Sequence, residues 1–237
     1  MQASSVSLAF AALVVVWLAA QLWLLTRQIR HVAQHRDRVP DAFASTVSLA
    51  THQRSADYTM AKARLALLST GFAAVVLLGW TLLGGLDLLN TQLRDAVQPR
   101  WGDMAYQLAL LSSFVLIGAT LELPFDLYAT FVVEQRFGFN RMTPGLFVAD
   151  LLKGLLLAAV IGLPLAALIL WIMGALGASW WFWAWVAWVG FNLVLLVLYP
   201  TVIAPLFNRF EPLPDEALTA IDEAWTEVGG VAPAYNR

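Results

Sequence analysis

Three histidines, His31, His35 and His52, make up the chain's imidazole complement, and two of them stand four residues apart in the string HVAQH. On a helix that spacing puts both rings on one face. A zinc hydrolase holds its metal this way, with a glutamate after the first histidine to take the proton of the metal-bound water. Here Val32 occupies the glutamate's place, and Arg27, Arg30, Arg36 and Arg38 surround the pair with positive charge that opposes a dication. The string therefore reads as a solvated helix extension; no metal ligand and no catalytic residue are assigned. Cysteine is absent, which removes thiolate zinc sites, disulfides and a cysteine nucleophile. The GxGD and GxSG signatures of intramembrane aspartyl and serine proteases do not occur, nor does a glycine-rich phosphate loop.

The remaining chemistry-bearing groups lie in or beside apolar runs. Glu122 and Asp126 are four apart and share a helix face, with Pro124 between them expected to bend or end the helix. Asp150 and Lys153 are three apart and can pair directly, and Asn192 falls near the middle of an apolar run, where it could bond another helix or line a cavity. A charge near the centre of a bilayer costs at least about 2.5 kcal/mol, so such groups persist where they meet a partner, water or a task. Glu122, Asp126, Asp150 and Lys153, with Glu134, Arg136 and Arg141, collect near one end of the third and fourth apolar runs. A hydrated chamber explains that clustering, and so does a solvated helix-loop-helix at the membrane surface.

The elements that must position these groups follow from composition. Of the 237 residues 60% are apolar and 13% charged, and mean hydropathy is +0.70, which excludes an ordinary water-soluble globule. A net charge of -2 gives no basic surface for nucleic acid, so no nucleic-acid partner is expected. About 20 apolar residues cross a bilayer as a helix. Five stretches qualify, at about 6–25, 65–89, 104–128, 145–173 and 180–204, and none alternates as a barrel strand would. The expected class is an all-α integral membrane protein with five transmembrane helices. Residues 1–7 carry no positive charge, so the first stretch reads as a permanent helix rather than a secretory signal. Eleven basic residues fall on the odd connectors and the tail against two on the even connectors, which places the N-terminus outside and the C-terminus in the cytoplasm.

Trp180, Trp181, Trp183, Trp185 and Trp188 crowd one end of the fifth stretch, as an interfacial aromatic belt or as an aromatic wall for a lipid-modified substrate. Gly71, Gly79, Gly84 and Gly85 suit close helix contacts. Pro200, Pro205, Pro212 and Pro214 are expected to end the fifth helix and hold the chain extended. Beyond them 215–228 reads as an amphipathic helix, with Leu218, Ile221, Trp225 and Val228 on one face and an acidic opposite face that favours a protein partner over an anionic membrane. The domains are thus a membrane domain, 1–204, and a cytoplasmic amphipathic tail, 205–237.

Three blocks carry a resemblance. Residues 121–154 read LELPFDLYATFVVEQRFGFNRMTPGLFVADLLKG, residues 199–218 read YPTVIAPLFNRFEPLPDEAL, and residues 56–64 read ADYTMAKAR. In order and over essentially the whole chain, they resemble the N-terminal membrane region of the CAAX prenyl protease 1 family, integral-membrane zinc endopeptidases. The resemblance implies a helical shell around a water-filled chamber with zinc inside, acting on peptides near a prenylated cysteine or on membrane proteins. In that family the zinc ligands lie on an HExxH helix and a later glutamate, beyond the fifth span. Such a helix does not occur in these 237 residues. No cofactor is therefore expected in this chain; Zn2+ would belong to a catalytic portion, missing here or carried separately, toward which the tail leads, making this a truncated or split piece. Glu122, Asp126, Glu134, Asn140, Asp150, Lys153 and Asn192 are the candidates to line or brace the chamber entrance. The alternative is a non-catalytic assembly or regulatory partner of a separate protease chain; a transporter is disfavoured by the lack of internal repetition. The expected location is a bacterial inner membrane or an equivalent cytoplasm-facing membrane.

Overall fold

The computed structural model describes residues 3–207, so the tail helix expected at 215–228 and the prolines at 212 and 214 lie outside the described residues. Among the described residues every regular element is helical, and five helical stretches are long and apolar enough to cross a membrane. The chain divides into two compact units, Met1–Trp171 and Ile172–Arg237.

In the first unit α1 (Ala3–His35) runs past its apolar stretch into the basic segment and ends shortly before Pro40, whose ring disfavours helix in the residue before it. A short 3-10 turn (Asp41–Phe43) leads to α2 (Leu49–Thr81), which starts where the Ser48 hydroxyl accepts the Thr51 N–H at 3.2 Å. The hairpin is tied at its closed end by polar bonds. Arg36 grips Asp57 bidentately, Nε to Oδ1 at 2.7 Å and Nη2 to Oδ2 at 2.9 Å; Gln53 Nε2 donates to Asp37 Oδ1 at 2.9 Å, and His52 Nε2 to the His35 carbonyl at 3.0 Å. Farther along, Ala56, Ala63 and Ala74 on α2 and Val14 on α1 are buried. Small side chains let helices approach closely where lipid supplies no hydrophobic drive. Alanine fills that role here; around Gly71 and Gly79 an added Cβ would meet nothing within 4 Å.

Helix α2 stops at Thr81, so residues 82–84, expected in the second span, turn instead, and 85–89 open the next helix. Gly84 takes the left-handed conformation (φ 78°), and a Cβ on Gly85 would lie 2.8 Å from the Gly79 carbonyl oxygen. The connector that follows is helical. Helix α3 (Gly85–Tyr128) has two arms, 85–101 and 103–128, broken at Gly102 (φ 79°, ψ 179°), and the Tyr106 hydroxyl bonds Asn90 across the break. Sixteen residues separate that pair, about 24 Å along a straight helix, so the arms fold back on one another.

Pro124 does not end the helix. The chain continues through it into a π-helical segment (Ala129–Glu134) and one last turn, α4 (Gln135–Phe137). Gly138 (φ 76°) then closes a Schellman cap, with its own N–H on the Gln135 carbonyl at 3.1 Å and the Phe139 N–H on the Glu134 carbonyl at 3.0 Å. Helix α5 (Pro144–Leu157) begins with Thr143 Oγ1 accepting the Leu146 N–H at 3.2 Å and Pro144 in its first turn. A π-helical segment (Ala158–Gly162) joins it to α6 (Leu163–Ala175), within which the first unit ends.

The second unit contains the end of α6, a 3-10 turn (Gly177–Ser179), α7 (Trp180–Leu198), a π-helical segment (Tyr199–Ile203) and α8 (Ala204–Phe207). Pro200 and Pro205 lie inside this continuous helical run rather than ending it. Wider π-type turns accommodate a residue without an N–H by skipping the bond it would have made. Trp181, Trp183, Trp185 and Trp188 are exposed, and Phe182 stands edge-on to Trp183 with ring centroids 5.6 Å apart. Large exposed apolar side chains cover both units, as expected of helices whose solvent is lipid.

Candidate functional site

Within the first unit α2 and the second arm of α3 run antiparallel, as the ring pairs show. Trp80 meets Phe114 at 5.1 Å, Phe72 meets Phe125 at 5.2 Å and Tyr58 meets Phe137 at 5.4 Å between centroids, so each step back along α2 is a step forward along α3. A groove of about 630 Å³ lies along this pair and reaches Trp17 of α1. On α2 it is lined from Lys62 through Ser69, Phe72 and Val76 to Trp80, and on the other wall from Phe114 through Gly118, Glu122 and Asp126 to Glu134. Both walls step by three and four residues, one face of each helix. From Lys62 to Trp80 the groove follows about 27 Å of helix.

Its ends differ in chemistry. Trp17, Trp80 and Phe114 make one end apolar, the Phe72 and Phe125 rings meet at mid-groove beside Glu122 and Asp126, and Lys62 and Glu134 stand toward the other end. Three carboxylates against one ammonium leave the groove net negative from its middle to that end. That end is held in shape from α2: Arg54 Nη2 donates to the Phe137 carbonyl at 2.6 Å, and the Tyr58 ring packs edge-on against Phe137 and Phe139. Lys62 lies over the Tyr58 ring, 5.4 Å from its centroid. Gly138 beneath this clamp holds a left-handed φ of 76° that favours glycine, and a Cβ there would also come within 3.2 Å of Arg54 Nη2. Blocks 56–64 and 121–154, widely separated in sequence, thus meet in space.

Of the expected site residues, Glu122, Asp126 and Glu134 line this groove, spread along one wall of it. Asn140, Asp150, Lys153 and Asn192 are not among the residues lining it. Asn140 organises the turn after Gly138: its Oδ1 accepts the Met142 N–H at 2.6 Å and its Nδ2 donates to Gln135 Oε1 at 2.9 Å. Lys153 Nζ pairs with Asp150 Oδ1 at 3.2 Å, one turn apart on α5. Asn192 donates to the Trp188 carbonyl of its own helix at 2.7 Å. Reasoning from sequence missed Arg54, Tyr58 and Lys62 as individual residues, although Tyr58 and Lys62 lie in the block 56–64. The signal for Lys62 was available in its place at the head of a three-and-four stripe ending at Trp80.

The groove suits an amphipathic guest, with an apolar chain against the aromatic rings and a cationic or hydrogen-bond-donating part at the carboxylates. Metal chemistry does not fit the residues present. His35 Nδ1 donates to the His31 carbonyl at 2.8 Å, both rings are exposed on one helix, and among the described residues no three His, Cys, Asp or Glu groups come together to hold an ion. No step through a metal is derived from them.

The family described as CAAX prenyl protease N-terminal, five membrane helices, matches residues 28–209. The CAAX prenyl protease 1 homolog of Arabidopsis thaliana is 31% identical over 182 residues, covering 75% of this chain and 43% of its own length. The probable CAAX prenyl protease 1 of Schizosaccharomyces pombe is 30% identical over 221 residues, covering 86% of this chain and 45% of its own. The chain therefore spans less than half the length of these curated relatives. In the crystal structure of S. mikatae Ste24p, 53% of that chain overlays 94% of this one with a TM-score of 0.83 at 24% identity, a likeness of fold.

Proposed function

The chain belongs to the CAAX prenyl protease N-terminal family, and from that premise we propose that its helices supply chamber wall, and its α2–α3 groove the substrate entrance, of a membrane-embedded zinc endopeptidase acting on prenylated or other membrane proteins. The observation that carries this reading is the gradient along the groove, from aromatic rings at Trp80 and Phe114 to carboxylates at Glu122, Asp126 and Glu134. A lipid-modified peptide has the same two parts. Its apolar chain would lie against the rings, shedding water at about 0.8 kcal/mol per buried methylene, while Glu122, Asp126 and Glu134 would hold its peptide N–H groups or a basic side chain. Asn140 would keep the loop beside Glu134 in place, and the Asp150–Lys153 pair would brace α5. We assign no hydrolytic step to these residues; zinc and its ligands would be contributed by further polypeptide, in the same chain or another.

A fluorescent farnesylated peptide titrated onto the full chain in lipid nanodiscs tests this. Gly118 lines the groove and has open space where a Cβ would stand, so Gly118→Trp fills the groove without a steric clash at the backbone. Binding should favour the farnesylated over the unmodified peptide and weaken roughly tenfold in Gly118→Trp, about 1.4 kcal/mol. Equal affinity for both peptides, or an unaltered affinity in the variant, would remove the groove from substrate entry.

A further inference from the structure

A second recess, of about 400 Å³, opens beside the groove, sharing Leu65, Phe125 and Val133 with it, and differs from it in charge. Residues 62 and 64 on α2, and 134 and 136 at the end of the α3 run, are each two apart and so about 200° apart around their helix. Lys62 and Glu134 therefore line the acidic groove, whereas Arg64 and Arg136 line the second recess, together with the Tyr128 ring. No carboxylate is among its lining residues, and among the described residues neither arginine has an acid within ion-pair distance. Asp57, whose field reaches Arg136, is itself gripped by Arg36. The other walls are apolar: Leu65 and Leu68 from α2, Phe125, Val132 and Val133 facing them.

We infer that this recess binds one anionic glycerophospholipid of the surrounding bilayer, its phosphate on Arg64 and Arg136 and its leading acyl carbons against Leu65, Leu68 and Phe125. Guanidinium forks match phosphate oxygens, and two cations without an acid partner, Arg136 lying over the Phe137 ring, attract anionic headgroups beside a membrane. A free inorganic anion would leave the apolar walls unfilled, and a choline headgroup would set its own cation against the arginines. The substrate groove shares Leu65, Phe125 and Val133 with this recess but not Arg64, Arg136 or Leu68, so the variants below separate the two.

Native mass spectrometry of the full chain, delipidated and titrated with phosphatidylglycerol or phosphatidylcholine of equal acyl length, tests it. Phosphatidylglycerol should bind roughly tenfold tighter. Arg64→Gln with Arg136→Gln should reduce that preference to about twofold or less, while Arg64→Lys with Arg136→Lys keeps most of it. Leu68→Trp, which fills the apolar wall and leaves both guanidiniums, should weaken phosphatidylglycerol binding. If the glutamine pair fails to fold, the lysine pair and Leu68→Trp decide. An undiminished preference in the glutamine pair overturns the inference. So does an equal loss in Arg27→Gln with Arg30→Gln on α1, which would mean general surface charge, or displacement of the lipid by inorganic phosphate at matched concentration, which would mean a free-anion site.

Discussion

The clamp at the polar end of the groove can be tested through Gly138. Its φ of 76° lies where an L side chain costs about 1–2 kcal/mol, and an alanine Cβ would also press on Arg54 Nη2 at 3.2 Å. That nitrogen holds the Phe137 carbonyl at 2.6 Å, a charge-assisted bond of the kind that contributes about 1.5–3 kcal/mol. Being the far end of a flexible side chain, it can retreat a few tenths of an ångström, so most of the loss in Gly138→Ala should come from the backbone. Gly138→Ala should destabilise by about 2 kcal/mol and Arg54→Ala by a similar amount. Because the two share a contact, the double variant should cost roughly 0.5–1 kcal/mol less than the sum. Unfolding by dodecyl sulfate in mixed micelles gives the energies, and hydrogen exchange at the Phe139 and Asn140 amides reports the cap directly. Gly138→Ala within about 0.5 kcal/mol of the parent would refute the left-handed cap. Strict additivity would refute the contact between Gly138 and Arg54.

The break in α3 makes a related demand: Gly102→Ala should destabilise by about 1–3 kcal/mol, since φ 79° with ψ 179° is open to glycine alone, whereas Gly118→Ala in the same helix should be close to neutral in the same unfolding assay. Asn192→Leu should leave stability within about 0.5 kcal/mol, because the amide only folds back on the Trp188 carbonyl of α7; a larger loss would reveal a second partner. Asp57→Asn should lower the melting temperature slightly at low ionic strength and hardly at all in high salt, the pair with Arg36 being 35% and 39% exposed. Elemental analysis of the purified chain should find zinc well below one per chain, with no change in His31→Ala or His35→Ala; one zinc per chain, lost in those variants, would overturn the reading of HVAQH.

Hydropathy alone determined that five long helices would form, because a backbone in lipid must satisfy its own hydrogen bonds and 20 apolar residues leave it one way to do so. Spacing alone determined local pairs: Glu122 with Asp126 on one face, and Lys153 reaching Asp150 a turn away. It misplaced the stops at the prolines. Pro200 and Pro205 read as stops and Pro124 as a bend or a stop, yet the helical path runs through all three, and π-type turns follow Pro124 and include Pro200. A missing N–H costs one bond, and whether a wider turn absorbs it depends on neighbours that the local sequence does not name. Residues 90–103, between the second and third apolar stretches, are helical as well: their polarity marks exposure to water, not the absence of helix. What only the tertiary structure decided is the groove itself. It exists because α2 and the α3 run lie antiparallel in a register that brings Phe72 to Phe125 and Tyr58 to Phe137, so that Lys62 lines the same groove as the carboxylates and Arg64 turns away with Arg136. Register is a property of two surfaces packed together, and a periodic pattern on each helix fixes which face is lined without fixing which residues stand opposite.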